Sequence, residues 1–188
     1  IAKVMMKGNK KIIVIPARFA ASRLPGKPLA KIDGKPMIQL VWERAIAADI
    51  APVYVATDNR DIANVIMSLG GKAVMTRTDH PSGSDRIFEA VETIDPDKNI
   101  SQILNLQGDL PDLSPDIPHL LGVILDQGDT DLATLVTPAG QDEASRTQVV
   151  KAVVSWQDET FGKAIYFSRA AVPTGTNALW HHIGVYGW

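Results

Sequence analysis

Residues 12–15, Ile-Ile-Val-Ile, constrain the fold more than any other stretch, because four consecutive β-branched apolar side chains leave the strand no polar face. Such a strand must be covered on both sides, as a parallel strand inside an α/β sheet is. It empties into a loop that carries Arg18, Arg23 and Lys27, bracketed by Pro16 and Pro25 and containing Gly26. Open α/β sheets bind ligands just beyond the carboxyl ends of their strands. The three cations therefore leave the strand where a polyphosphate would sit. Pro16 and Pro25 limit the backbone, and Gly26 lets the chain come close to a ligand. The same composition also suits a solvated basic loop, and the preceding strand favours the functional reading.

The rest of the chain sets the context for that loop. With 188 residues, 45% of them hydrophobic, it can bury the core of one α/β domain over 1–188. A net charge of -2 argues against a nucleic-acid or membrane-surface partner, so the cations at 18, 23 and 27 form a local site. With no cysteine, disulfides, thiolate catalysis and cysteine-bound zinc are excluded. No apolar run reaches membrane-spanning length, residues 1–10 lack a signal-peptide core, and the expected location is cytoplasmic.

Strand and helix patterns alternate, which predicts parallel βαβ units. After the strand at 11–15, a helix is expected over 37–48, with Met37, Leu40, Val41 and Ala45 on one face. A strand over 53–57 leads to a helix capped by Asp58 and carrying Ile62, Val65, Ile66 and Leu69. A strand over 72–76 and a Ser/Gly loop lead to a helix with Ile87, Phe88, Val91 and Ile94, then a buried strand over 100–106. Ser114-Pro115 opens a helix that runs to about 126. Strand-like runs follow at 132–137, 149–155, 164–168 and 182–188.

The motifs narrow the chemistry. Neither a Walker-type loop nor a dinucleotide-binding glycine turn is present, so a different phosphate grip is required. In NLQGDLP, residues 105–111, a buried strand ends and Gly108 turns the chain to present Asp109 at the same sheet edge as the basic loop. A hard carboxylate facing phosphates suits Mg²⁺, although an Asp in a turn is also ordinary. Ser82, Gly83 and Ser84 open a helix whose free amides could read a base or a phosphate. Ser82 or Ser84 is otherwise a plain helix cap, with Asp85 and Arg86 a solvated first turn. His80 and His119 are expected at the surface. His181 and His182 are adjacent in a strand and must point to opposite faces, so His182 shares its face with Gly184 and Tyr186.

Taken together, IPARFAASRLPGKPL, VATDN, MTRTDHPSGSDR, NLQGDLP, VVKAV, IYFSRAAVP and HHIGVYG closely resemble the 3-deoxy-manno-octulosonate cytidylyltransferases, and the match covers nearly the whole chain. The resemblance implies a nucleotide-diphospho-sugar-transferase fold, with a mostly parallel central sheet flanked by helices. It also implies a Mg²⁺-dependent homodimer that couples CTP to 3-deoxy-D-manno-octulosonate (Kdo), giving CMP-Kdo and pyrophosphate for lipopolysaccharide synthesis. By motif position, Arg18 and Lys27 resemble the triphosphate clamps. Pro16, Ala17, Arg23, Gln107 and the Ser82-Gly83-Ser84 turn resemble nucleotide contacts, and Asp109 resembles a metal ligand. Arg77, Gln107, Arg169, His182 and Tyr186 resemble the acid-sugar pocket, with Lys151 adding charge. Guanidinium groups suit the Kdo carboxylate, because they can bind it through two parallel hydrogen bonds.

Two departures stand out. Leu110 replaces the family's Glu beside the metal position, and Ser-Gly-Ser-Asp-Arg replaces Ser-Gly-Thr-Glu-Arg. The chain is also expected to lack the family's C-terminal portion, which carries a second metal-binding Asp. The alternatives are another acid-sugar nucleotidyltransferase, such as a sialic-acid cytidylyltransferase, or a nucleotide-binding module without turnover.

Overall fold

A computed structural model describes residues 10–20, 25–127, 130–140, 142–173, 175 and 178–188. They form two compact units: residues up to 133 together with 185–188, and residues 134–184.

In the first unit, β1 (Lys11–Ala17) is followed by a 3-10 turn at Lys27–Leu29 and a small hairpin, β2 (Lys31–Ile32) and β3 (Lys35–Pro36), closed by Asp33 and Gly34. Then come α1 (Met37–Ala47), β4 (Val53–Thr57), α2 (Arg60–Ser68), β5 (Lys72–Met75), α3 (Gly83–Ile94), β6 (Gln102–Asn105) and α4 (Asp116–Asp126). The strands lie in the order β5-β4-β1-β6. All neighbours in that series are parallel. The sequence therefore predicts both the class of this sheet and its helices, while the central place of β1 comes from the crossovers.

Burial explains why the strands sit as they do. Ile12 is 4% exposed, and Ile13, Val14 and Ile15 are wholly buried. Ile12 and Val14 pack with Ala56 and with Ile87 and Ala90 of α3, and alternation turns Ile13 and Ile15 to the opposite face. Each such side chain contributes roughly 1.5–3 kcal/mol when removed from water. Helix α1 buries Met37, Ile38, Val41 and Ala45. Leu40, expected on that face, is only half-buried.

Several local expectations need correction. Asn59, not Asp58, caps α2: its side-chain oxygen accepts the N–H groups of Asp61 (2.9 Å) and Ile62 (3.1 Å). Pro115 occupies the cap position of α4, one residue later than read, while the Ser114 hydroxyl accepts the Asp116 N–H at 3.3 Å. Strands β5 and β6 are shorter than their apolar runs, because pairing partners rather than hydrophobicity set where a ladder stops.

The second unit comprises β7 (Ala133–Pro138) from Thr134 onward, β8 (Lys151–Trp156), β9 (Gly162–Ser168) and the first part of β10 (Trp180–Gly187). β8 pairs antiparallel with both β9, through a register shift at Val153/Val154, and β10, at Ala152 and Lys151. The last residues of β10 belong to the first unit, where Tyr186 and Gly187 pair antiparallel with Asn105 and Leu104 of β6.

The capping of α2 yields one prediction. Asn59→Ala should destabilise the protein by about 1 kcal/mol, seen as a lower urea midpoint at unchanged m-value; an unaltered midpoint would deny the cap its role.

Candidate active site at the sheet edge

The carboxyl ends of β1, β4, β5 and β6 gather four loops at one edge of the first unit. The loop after β1 begins at Arg18, whose side chain is exposed, and folds back so that the Gly26 N–H donates to the Phe19 carbonyl at 2.8 Å. Gly26 takes a φ of 73°, which a side chain would strain. Lys27 then reaches across to the loop after β6, with Nζ 2.8 Å from Asp109 Oδ2. Both side chains remain partly open to solvent, at 39% and 49% exposure, so both can also meet a ligand. Arg23 lies outside the described residues.

Close approach of the two loops requires Gly108. A Cβ there would stand 2.8 Å from the Pro16 carbonyl oxygen, a backbone atom that cannot swing aside. Pro16 also abuts the start of α3, where a Cβ on Gly83 would lie 3.4 Å from its ring. The Ser82 side chain caps that helix, accepting the Asp85 N–H at 3.2 Å. Pro16 and Ala17 at the end of β1, Arg18, Lys27, Ser82–Ser84 at the start of α3 and Asp109 thus belong to segments that approach one another. Gln107 is half-buried in the same turn as Leu110, whose N–H donates to the Gln107 carbonyl at 3.3 Å.

Arg77 sits on the loop after β5, its side chain largely exposed and its Nε 3.2 Å from Asp79. Its backbone is held more firmly. The Arg77 N–H donates to Glu89 Oε2 at 3.1 Å, and its carbonyl accepts from Arg86 Nη1 at 3.1 Å. His80 is not a surface residue: its ring is 6% exposed and pairs with Glu89. That hydrogen bond, followed by the one from the Arg77 N–H, holds the Glu89 carboxyl below its ordinary pKa despite desolvation. His119 is exposed on α4, as expected.

Arg86 corrects the expectation of a solvated first turn. It is 3% exposed, and its Nη2 lies 2.9 Å from Asp58 Oδ2, whose side chain is 6% exposed. Oδ1 of the same carboxylate accepts the Phe19 N–H at 2.9 Å. Sequence reading misses this pair because an Arg beside an Asp reads as helix surface. The available signal is spacing: Arg86 lies four residues before Ala90, on the face that also buries Ile87.

Tyr186 is the remaining expected site residue of the first unit. Burial raises its pKa. With Ser84, Phe88, Val91, Ile103 and Trp188 it lines a cavity of about 960 Å³. The other three lie in the second unit. Lys151 is fully buried, and its ammonium donates to the carbonyls of Arg146 (2.8 Å), Val149 (3.0 Å) and Arg169 (3.0 Å). Arg169 donates to the Thr147 carbonyl at 3.0 Å. His182 Nε2 is 2.9 Å from the Thr134 hydroxyl, and its ring packs edge-on against Phe167. Burial, with His181 beside it, pulls the His182 pKa down.

The chain is similar to known proteins along most of its length. The sequence model of the family described as Cytidylyltransferase matches residues 12–187. A 3-deoxy-manno-octulosonate cytidylyltransferase of Azorhizobium caulinodans is 50% identical over 94% of this chain and 71% of its own length. That of Paramagnetospirillum magneticum is 48% identical over 94% of this chain and 73% of its own. Among solved structures, a CMP:2-keto-3-deoxy-manno-octonic acid synthetase complexed with CTP superposes with a TM-score of 0.85. It is 41% identical and covers 96% of this chain and 74% of that one.

Gly108→Ala tests the close approach of the loops after β1 and β6. The added methyl should cost about 1–3 kcal/mol and separate Lys27 from Asp109, read as a lower melting temperature together with faster proteolysis near residue 108. Wild-type values in both assays would mean that the loops tolerate a wider gap.

Proposed function

The chain belongs to the 3-deoxy-manno-octulosonate cytidylyltransferases, and from that membership we infer how its own residues divide the work. The reaction couples CTP to Kdo and yields CMP-Kdo and pyrophosphate; the sialic-acid alternative is not favoured by the relatives. In it, the anomeric hydroxyl of Kdo attacks the α-phosphorus in line, the bond to the β-phosphate oxygen breaks, and pyrophosphate leaves. The observation that carries the assignment is the Lys27–Asp109 pair, 2.8 Å apart on loops from two adjacent parallel strands.

Arg18 and Lys27 are read as the groups that oppose charge on the triphosphate, each worth roughly 3–4 kcal/mol in a water-poor site. Pro16, Ala17, the Ser82–Ser84 turn and Gln107 are read as nucleotide contacts, with Arg23 by motif position alone. No side chain is assigned as general base. Positioning and charge neutralisation carry the chemistry in this reading.

Asp109 is the residue we assign to Mg²⁺. Among the described residues no group of three or more His, Cys, Asp or Glu side chains could hold a metal by itself. A single exposed carboxylate is nonetheless a fitting donor, since Mg²⁺ usually takes one or two carboxylates with phosphate oxygens and waters. When bound, the ion supplies neutralisation of phosphate charge.

Arg77, Gln107 and Tyr186 are read as acid-sugar contacts, and Arg169 and His182 carry that reading by motif position alone. Lys151 is better read as the residue that fixes the Arg169 backbone, because three carbonyls already surround its ammonium. We also read the protein as a homodimer. Edge strand β9 exposes Ile165 and Tyr166 at 60% each and Phe167 at 42%, an apolar edge that an isolated chain seldom leaves open. A cytoplasmic location accords with the reaction, and no helix among the described residues is long and apolar enough to cross a membrane.

Pyrophosphate release tests the assignment. CTP with Kdo should support turnover, whereas UTP, GTP or a sialic acid should not. Arg18→Ala should lower turnover by at least about 100-fold with an unchanged far-UV spectrum; retained turnover removes Arg18 from the site. Equilibrium sedimentation should find a dimer at micromolar concentration, and a monomer there rejects the β9 interface.

A further inference from the structure

We propose that Asp58 and Arg86 form a positioning pair that fixes the phosphate-facing loop after β1 relative to the acid-sugar loop after β5. The proposal rests on the reading of those loops given above. The Asp58 carboxylate is shared between two donors: Oδ1 accepts the Phe19 N–H at 2.9 Å, one residue beyond Arg18, and Oδ2 accepts Arg86 Nη2 at 2.9 Å. The other terminal nitrogen of Arg86 donates to the Thr76 hydroxyl and, at 3.1 Å, to the Arg77 carbonyl. One guanidinium and one carboxylate therefore connect the backbone beside Arg18 with the backbone of Arg77.

Burial gives this connection its meaning. With Arg86 at 3% and the Asp58 side chain at 6% exposure, the pair carries the desolvation cost of two ions, and such pairs add little net stability over apolar residues of like volume. What a planar guanidinium adds is direction, since its N–H groups point along fixed lines. Glu89, one turn after Arg86 on α3, accepts the Arg77 N–H at 3.1 Å, so both sides of Arg77 are held from the same helix. Neither Asp58 nor Arg86 is assigned a substrate contact. They act through Arg18 and Arg77, whose separation must match that of a triphosphate and a sugar carboxylate. A displacement of about 1 Å at such a site costs on the order of 100-fold in rate.

Arg86→Lys keeps the charge and loses the fork. It should lower kcat/KM for both CTP and Kdo by about 100-fold, with a rise in both KM values carrying much of the loss. A residue that only stabilised the fold would reduce the active fraction, lowering kcat while both KM values stayed at wild type, and that result overturns the proposal. Asp58→Asn is nearly isosteric and retains an oxygen for Phe19; it gives the same readout should Arg86→Lys fail to fold. The wild-type protein run in parallel separates the two ideas. If it releases no pyrophosphate from CTP and Kdo, the site reading fails and the pair's role with it. If it turns over and both variants keep its KM values, only the pair's role fails.

Discussion

Strand β1 has no face that water can touch, and this constraint organises the first unit. Its residues 12–15 are at most 4% exposed, so the sheet must continue on both sides and be covered above and below. β4 and β6 flank it in parallel, and parallel neighbours demand crossover connections. The crossovers supply the helices that cover the faces, and they deliver the loops after four strands to one edge. A single edge lined by four loops follows from burying the middle of one strand completely.

Placing the loops takes more than the sheet. Basic segments after β1 would splay apart if nothing opposed their charge, and Asp109 and Asp58 do so in different ways. Asp109 meets Lys27 in a half-exposed pair that solvent screens, leaving both groups available to a ligand. Asp58 is buried and takes a backbone N–H of the same loop together with the Arg86 guanidinium. One carboxylate stays adaptable and the other is fixed. The second unit handles its buried cation without a carboxylate, surrounding the Lys151 ammonium with three carbonyl oxygens.

The elements legible in the sequence are those whose signal is local. Ile12–Ile15 announce a doubly buried strand, the spacing of Ile62 and Ile66 announces α2, and Ser82 caps α3 where a Ser before a helix should. Arg18, Lys27 and Asp109 were legible as site candidates because each lies on a loop that leaves the carboxyl end of a buried strand. The choice between Asp58 and Asn59 as the cap of α2 was not legible. Both are good caps, and what decides is that Phe19 and Arg86, 39 and 28 residues away, both donate to Asp58.

By itself, the sequence determined the α/β class, the parallel character of the first strands and the position of a basic loop directly after β1, since hydrophobic period, proline and glycine act within a few residues. Only the tertiary structure decided that Arg86 and His80 are buried partners rather than surface groups, that Lys151 is enclosed by carbonyls, and that Lys27 meets Asp109. The physical reason is that a charge is tolerated inside a protein only when another part of the chain completes its hydrogen bonds. Asp58 and Arg86 are 28 residues apart and Lys27 and Asp109 are 82 apart, so these pairs exist only once the sheet has brought their loops and helices together.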